Sequence, residues 1–251
     1  VAVEVDIRRG LPAFTIVGLA DAAIREARER VQAAIRNSGF EFPGQRITAN
    51  LAPADLPKSG PAFDLALACA ILAASGQLSD ARLQTHALFG ELGLGGEVRA
   101  CRGALAVAHA ARAAGLEGLV LSARGAHDPL LEGLALAPVL RLEGAVRVLS
   151  GGSADASVRR GRVAATPWPA AGIDRHGRAQ RGRTGPDLAD VRGVHHAVRA
   201  LIVAAAGGHN MLLCGPPGTG KTMLAHRVPS ILPPLNVSEA LEVGRIQSVA
   251  G

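Results

Sequence analysis

Residues Gly215-Pro216-Pro217-Gly218-Thr219-Gly220-Lys221-Thr222 fill every position of the phosphate-loop pattern G-x-x-x-x-G-K-[ST], and no other stretch of this 251-residue chain constrains its fold as tightly. The pattern demands a strand before the loop and a helix after it. Asn210-Met211-Leu212-Leu213-Cys214 is an apolar run of strand length, and Met223-Leu224-Ala225-His226-Arg227-Val228 opens a helix, so the required order is predicted. Glycines at 215, 218 and 220 let the backbone curl until successive N–H groups face the β- and γ-phosphate oxygens, helped by the positive end of the following helix. Lys221 supplies a flexible point charge for those phosphates, and the Thr222 hydroxyl is placed to complete the coordination of Mg²⁺. Lys221 is one of only two lysines among 27 basic residues, which sets it apart from surface filler.

Composition narrows the class. Apolar residues make up 48% of the chain and charged residues 19%, a balance that builds an aliphatic core and excludes a disordered chain. Five Phe, one Trp and no Tyr leave too few rings for stacking on single-stranded bases to be a main binding device. Cys69, Cys101 and Cys214 stand apart in apolar stretches, giving neither a C-x-x-C metal site nor a disulfide framework and fitting a reducing cytoplasm. No apolar run reaches membrane-spanning length, and Val1-Ala2-Val3-Glu4-Val5-Asp6 alternates like a strand where a signal peptide needs a basic then an apolar segment. A chain beginning at Val is expected to lack its front end.

The formal charge of +6 is concentrated in one segment. Between Gly151 and Pro186, Arg159, Arg160, Arg162, Arg175, Arg178, Arg181 and Arg183 face only Asp155 and Asp174, among seven glycines and three prolines. This reads as a flexible basic linker, first a solvated spacer and second a tether for phosphate backbones.

Residues 1–150 alternate strands and helices. Val3, Val5 and Ile7 line one strand face, Phe14 to Val17 form the next strand, and Asp21 is the predicted N-cap of a helix carrying Ile24, Ala27, Val31, Ala34 and Ile35 on one side until Asn37-Ser38-Gly39 stops it. Ile47 to Leu51 is a strand, and Ala62 to Ala74 is apolar almost all round and should be a buried helix. A hairpin is expected from Leu88–Leu94 to Glu97–Arg99 through Gly95-Gly96, then a helix from Gly103 to Ala114, a strand at Leu119–Leu121 and a helix near Leu142–Leu149. After the linker, a helix over Val194–Ala206 precedes the phosphate loop, and Asn236 with Glu239 reads as a capping box for a last helix. The 65 residues from 187 to 251 are too few for a complete nucleotide-hydrolysing domain, so the chain is expected to end inside one.

Several of these stretches together resemble one family. Val5-Asp6-Ile7-Arg8-Arg9-Gly10-Leu11-Pro12-Ala13-Phe14-Thr15-Ile16-Val17-Gly18-Leu19, Arg36-Asn37-Ser38-Gly39-Phe40 and Asn50-Leu51-Ala52-Pro53-Ala54-Asp55-Leu56 resemble the bacterial Mg-chelatase-like AAA+ ATPases called YifB or ComM. Gly207-Gly208-His209-Asn210 and Ile231-Leu232-Pro233-Pro234-Leu235 are similar to the ATPase module of that family. The resemblance implies an α/β fold in three parts: a Lon-protease or ribosomal S5 domain 2-like α+β domain over 1–150, the linker over 151–186, and the start of a P-loop AAA+ domain over 187–251. It further implies a hexameric motor that takes ATP and Mg²⁺, and for ComM members one that drives DNA branch migration in natural transformation.

The Lon likeness raises a Ser-Lys peptidase as an alternative. Gly60-Pro61-Ala62 resembles the Lon Gly-Pro-Ser, and the hairpin from Gly90-Glu91 is similar to the Lon stretch that leads to the catalytic lysine, which falls at Leu105. Ala62 cannot attack and Leu105 cannot take a proton, and the neighbours Lys58 and Ser59 do not supply that geometry, so no protease is expected. His195-His196 at a helix start reads as exposed surface rather than metal ligation. Asp187 to Val194 resembles the AAA+ segment that lies against adenine, although family members usually carry Gln where Val194 stands.

The chain is therefore expected to be the ATP-binding part of a Mg-chelatase-like motor, with nucleotide on Gly215, Pro216, Pro217, Gly218, Thr219, Gly220, Lys221 and Thr222, Mg²⁺ at Thr222, and a homo-hexamer and DNA as partners. No strand ending in an acidic pair follows Thr222, so these 251 residues are expected to bind ATP without hydrolysing it. Two alternatives stay open, a metal-insertion motor subunit and a non-motor interaction module built on residues 1–150.

Overall fold

Alternation of apolar and polar residues decides the first sheet. The computed structural model describes residues 1–125, 134–153, 186–233, 235 and 237–250, and in it β1 (Ala2–Arg8), β2 (Ala13–Val17) and β3 (Arg46–Ala52) form a sheet in the order β1-β3-β2. β1 runs antiparallel to β3 and β2 parallel to it, in a register that stacks Ile7, Ile47 and Phe14 in one row and Val5, Ala49 and Ile16 in the next. One face is thus apolar and joins the core; the other carries rows such as Glu4, Asn50 and Val17, with Asn50 Nδ2 donating to Glu4 Oε2 at 2.8 Å.

Helix α1 (Ala22–Asn37) lies against that apolar side. Asp21 caps it, accepting from the Ile24 N–H at 2.8 Å, and its second carboxylate oxygen accepts from the Gly60 N–H at 3.1 Å, so one side chain starts a helix and pins a distant loop. The buried positions are the predicted five, Ile24, Ala27, Val31, Ala34 and Ile35. Where β2 hands over to this helix, Gly18 has φ +103°, and a Cβ there would sit 2.3 Å from the Leu51 carbonyl oxygen. Only glycine allows β3 to approach this closely.

Helix α2 (Asp64–Ala74) follows a 3-10 turn over Pro61–Phe63, so the predicted helix starts later than Ala62. It packs on α1, on β1, and on β4 (His86–Phe89), and Leu65, Leu67, Ala68, Cys69, Ile71 and Leu72 are fully buried. Burial pushes the Cys69 thiol up to about 12, so it behaves as an inert apolar side chain.

The expected hairpin arm Leu88–Leu94 divides at Gly90. β4 pairs in parallel with β7 (Gly118–Ser122), while β5 (Glu91–Leu92) pairs antiparallel with β6 (Val98–Arg99). The cause is Gly90 itself: its N–H donates to the Ala62 carbonyl and its carbonyl accepts from the Leu65 N–H, both at 3.1 Å, so its peptide groups serve the start of α2 rather than a ladder. Helix α3 (Ala104–Ala113) leads into β7, which is buried along its whole length between β4 and the unpredicted β8 (Ala135–Val139) in an all-parallel sheet. Helix α4 (Leu142–Leu149) matches its expected bounds.

The chain divides into two compact units, Val1–Ala165 with Val243–Gly251, and Thr166–Glu242. The second contains α5 (His195–Gly207), α6 (Lys221–Ala225) and the first part of α7 (Val237–Ala250), around a small cluster of Leu188, Leu201 and Leu224. The basic linker expected over 151–186 lies almost wholly outside the described residues, as does the Asn236 end of the expected capping box. The fold is a mixed α/β one, with parallel strand pairs and helices. No helix among the described residues is long and apolar enough to cross a membrane.

Candidate functional site

Helix α5 begins and ends one residue later than the expected Val194–Ala206 and is capped at Gly208 with φ +63°, and the chain runs on without regular structure to the phosphate loop. The strand predicted over Asn210–Cys214 is not formed as a ladder. Among the described residues no strand lies beside it, and a strand exists only through its partner. Leu212 is accordingly 84% exposed and Met211 40%, an unusual state for apolar residues in such a position.

The loop itself is ordered by its own groups. Gly218 and Gly220 have φ +82° and +81°, left-handed values that turn the backbone sharply ahead of α6. Thr219 Oγ1 donates to the Pro216 carbonyl at 2.9 Å. Lys221 Nζ donates to the Gly215 carbonyl at 2.8 Å and the Pro216 carbonyl at 2.6 Å, with Thr219 Oγ1 at 3.3 Å. The loop is therefore wrapped around one ammonium group, and its outer side is open: a Cβ added at Gly218 would meet nothing within 4 Å. Gly215 to Thr219 and Thr222 are exposed, while Gly220 and Lys221 are half-buried.

These residues fit a polyphosphate with Mg²⁺. A single positive charge sits in a Gly-rich curl whose outer side is open, and the Thr222 hydroxyl stands one residue further along the same helix, free for a hard cation. Helix α6 spans only five residues before the 3-10 turn Val228–Ser230, because Pro229 interrupts it. The helix-end contribution foreseen for the phosphates is correspondingly short.

Two contributors escaped the sequence. Arg227 Nε donates to the Asp187 carbonyl at 3.2 Å, and Ser230 Oγ accepts from the Leu188 N–H at 2.9 Å. Pro229 signals a break at this point and hides what its neighbours hold. His195 and His196 are exposed at the start of α5, and no metal-binding group of side chains is found among the described residues. In the first unit Ala62 is half-buried on its 3-10 turn and Leu105 is buried on α3. Lys58 is 3% exposed with its ammonium on the Pro53 carbonyl, whereas the adjacent Ser59 is exposed, so the two do not share an environment.

Comparison with known proteins covers the same two regions. A family model described as subunit ChlI of Mg-chelatase matches residues 3–125, and one described as magnesium chelatase, subunit ChlI, matches residues 187–251. The YifB protein of Salmonella typhimurium is 44% identical over 251 residues, and that of Escherichia coli K12 is 42% identical over 249. The competence protein ComM of Haemophilus influenzae is 37% identical over 249 residues. Each alignment takes in 99% of this chain and 46% or 47% of the relative, so the chain spans about half the length of the curated relatives it matches.

Proposed function

The chain belongs to the Mg-chelatase-like family of the YifB and ComM proteins, and on that premise we propose that it is the nucleotide-binding part of an ATP-driven AAA+ motor acting on branched DNA. The observation that carries the reading is the ammonium of Lys221 enclosed by the Gly215–Thr222 loop. Incoming β- and γ-phosphate oxygens would draw that ammonium off the loop carbonyls, exchanging neutral acceptors for charged ones. Thr222 would hold Mg²⁺, which supplies neutralisation of the charge between the phosphates when bound. Backbone N–H groups around Gly218 and Gly220 would orient the chain of phosphates, and the segment 187–194 would face the base.

The DNA part rests on the 37% identity to a protein named for competence and on what the resemblance to ComM implies. It is tested with the whole protein that carries this chain, offered a four-way junction and a linear duplex of equal length at rising salt. Tighter, salt-dependent binding of the junction, and its ATP- and Mg²⁺-dependent conversion to duplex, are expected. Equal and negligible binding to both removes DNA from the proposal. The family models favour a second reading, a subunit that powers metal insertion into a porphyrin, because both carry the chelatase description. Under that reading nucleotide binding persists and the junction has no effect.

A further inference from the structure

Arg227 and Ser230 lie beyond the end of α6, and both reach back to the segment that opens with Asp187. The Arg227 guanidinium bridges two carbonyls, Asp187 through Nε at 3.2 Å and Met223 through Nη1 at 3.1 Å. Ser230, 8% exposed, accepts the Leu188 N–H. Between these ties Asp187 and Asp190 cap one another around the 3-10 turn Leu188–Asp190. Further along, Val191 and Val194 pack into the same apolar cluster as Leu213 and Leu224, which stand two residues before Gly215 and two after Thr222. The half-buried valines therefore share a cluster with the residues that flank the loop on both sides in sequence.

We propose that Arg227 and Ser230 are positioning residues for base selection: they fix residues 187–194 so that Val191, Val194 and the backbone between them meet the base of a loop-bound nucleotide. This rests on the reading of Gly215–Thr222 as a nucleotide site. Phosphates are gripped by charge and are common to every nucleotide, so discrimination among bases falls to an apolar wall with a few fixed backbone groups. Apart from one 3-10 turn, residues 187–194 have no regular structure, and their position is only as fixed as their ties to the rest of the unit. The planar fork of Arg227 holds two carbonyls at a set separation, which the single ammonium of lysine does not reproduce.

The test compares Mg²⁺-ATP with Mg²⁺-tripolyphosphate by titration calorimetry, because the ratio of the two affinities isolates the part of the ligand beyond the phosphates. The unaltered protein is expected to bind ATP more tightly. Ser230→Ala and Arg227→Lys are each expected to weaken ATP by about three- to tenfold, the scale of one hydrogen bond, and to leave tripolyphosphate unchanged. Tripolyphosphate also serves as the control for folding. Parallel loss of both ligands, or an unchanged ratio in both variants, overturns the positioning role. If the unaltered protein binds tripolyphosphate and ATP equally, the base wall is wrong and the loop reading stands; if it binds neither, the loop reading fails and takes the inference with it.

Discussion

Replacing Lys221 by alanine is expected to weaken Mg²⁺-ATP binding by about 10- to 100-fold, the scale of a charge-assisted hydrogen bond or two at about 1.5–3 kcal/mol each. The ammonium is the one charge at the centre of the loop, held ready by the Gly215 and Pro216 carbonyls. Those carbonyls belong to exposed residues, so water takes the place of the lysine when it is removed. Thermal stability should therefore change by no more than about 0.5 kcal/mol while affinity falls. Titration calorimetry with a melting curve on the same variant separates the two, and unchanged affinity in a folded variant contradicts the role given to Lys221.

In the first unit, Arg30→Met is expected to cost about 3–5 kcal/mol at neutral pH, nearer the lower figure because the Arg30 side chain keeps some contact with water. Asp64 is fully buried at the start of α2. Its carboxylate accepts from Arg30 Nε at 2.8 Å, Arg30 Nη2 at 3.1 Å and the Leu92 N–H at 3.3 Å. Burial raises the Asp64 carboxyl above its usual range, and Arg30 pulls it part of the way back; the same hydrogen bond raises Arg30. Both directions describe one attraction, which for Asp64 is outweighed by the loss of water. A carboxyl raised in the fold contributes stability that is present below its unfolded value of about 4 and is lost as pH rises through the folded value. Without Arg30 that value rises further, so the gap in stability between variant and unaltered protein should narrow on acidification as Asp64 takes up a proton. Urea unfolding at several pH values measures the gap, and a gap that stays constant or widens toward acid contradicts this account of Asp64.

The parts of the fold legible from sequence are those whose contacts are set by local periodicity. The five buried residues of α1 and the alternation of Val3, Val5 and Ile7 follow from which face a side chain occupies, and the structure buries or half-buries them accordingly. Asp21 as a cap is likewise a local matter. Most of the misreadings involve partners distant in sequence, the early end of α6 before Pro229 being a local exception. Leu88–Leu94 has one apolar character and two fates, because Gly90 is claimed by Ala62 and Leu65. β8 was not foreseen: Leu136-Ala137-Pro138 carries a proline, tolerated here because β8 lies at the edge of its sheet. Asn210–Cys214 has the composition of a strand and no neighbour among the described residues to pair with. In the candidate site the loop could be read letter by letter, since its glycines and lysine act through local backbone geometry. The ties from Arg227 and Ser230 could not, because they span some 40 residues and involve main-chain atoms that any residue type supplies.

Hydrogen exchange at the loop amides, followed with and without Mg²⁺-ATP, measures the grip on phosphate directly. Gly218, Thr219 and Thr222 are exposed and Gly220 and Lys221 half-buried, and their N–H groups would be covered by phosphate oxygens, so marked slowing over Gly218 to Thr222 is expected in the complex, with smaller slowing over 187–194 and none in the helix α1 core. Exchange at Gly218 to Thr222 that is unaltered at saturating Mg²⁺-ATP would contradict the assignment of this loop as the nucleotide site.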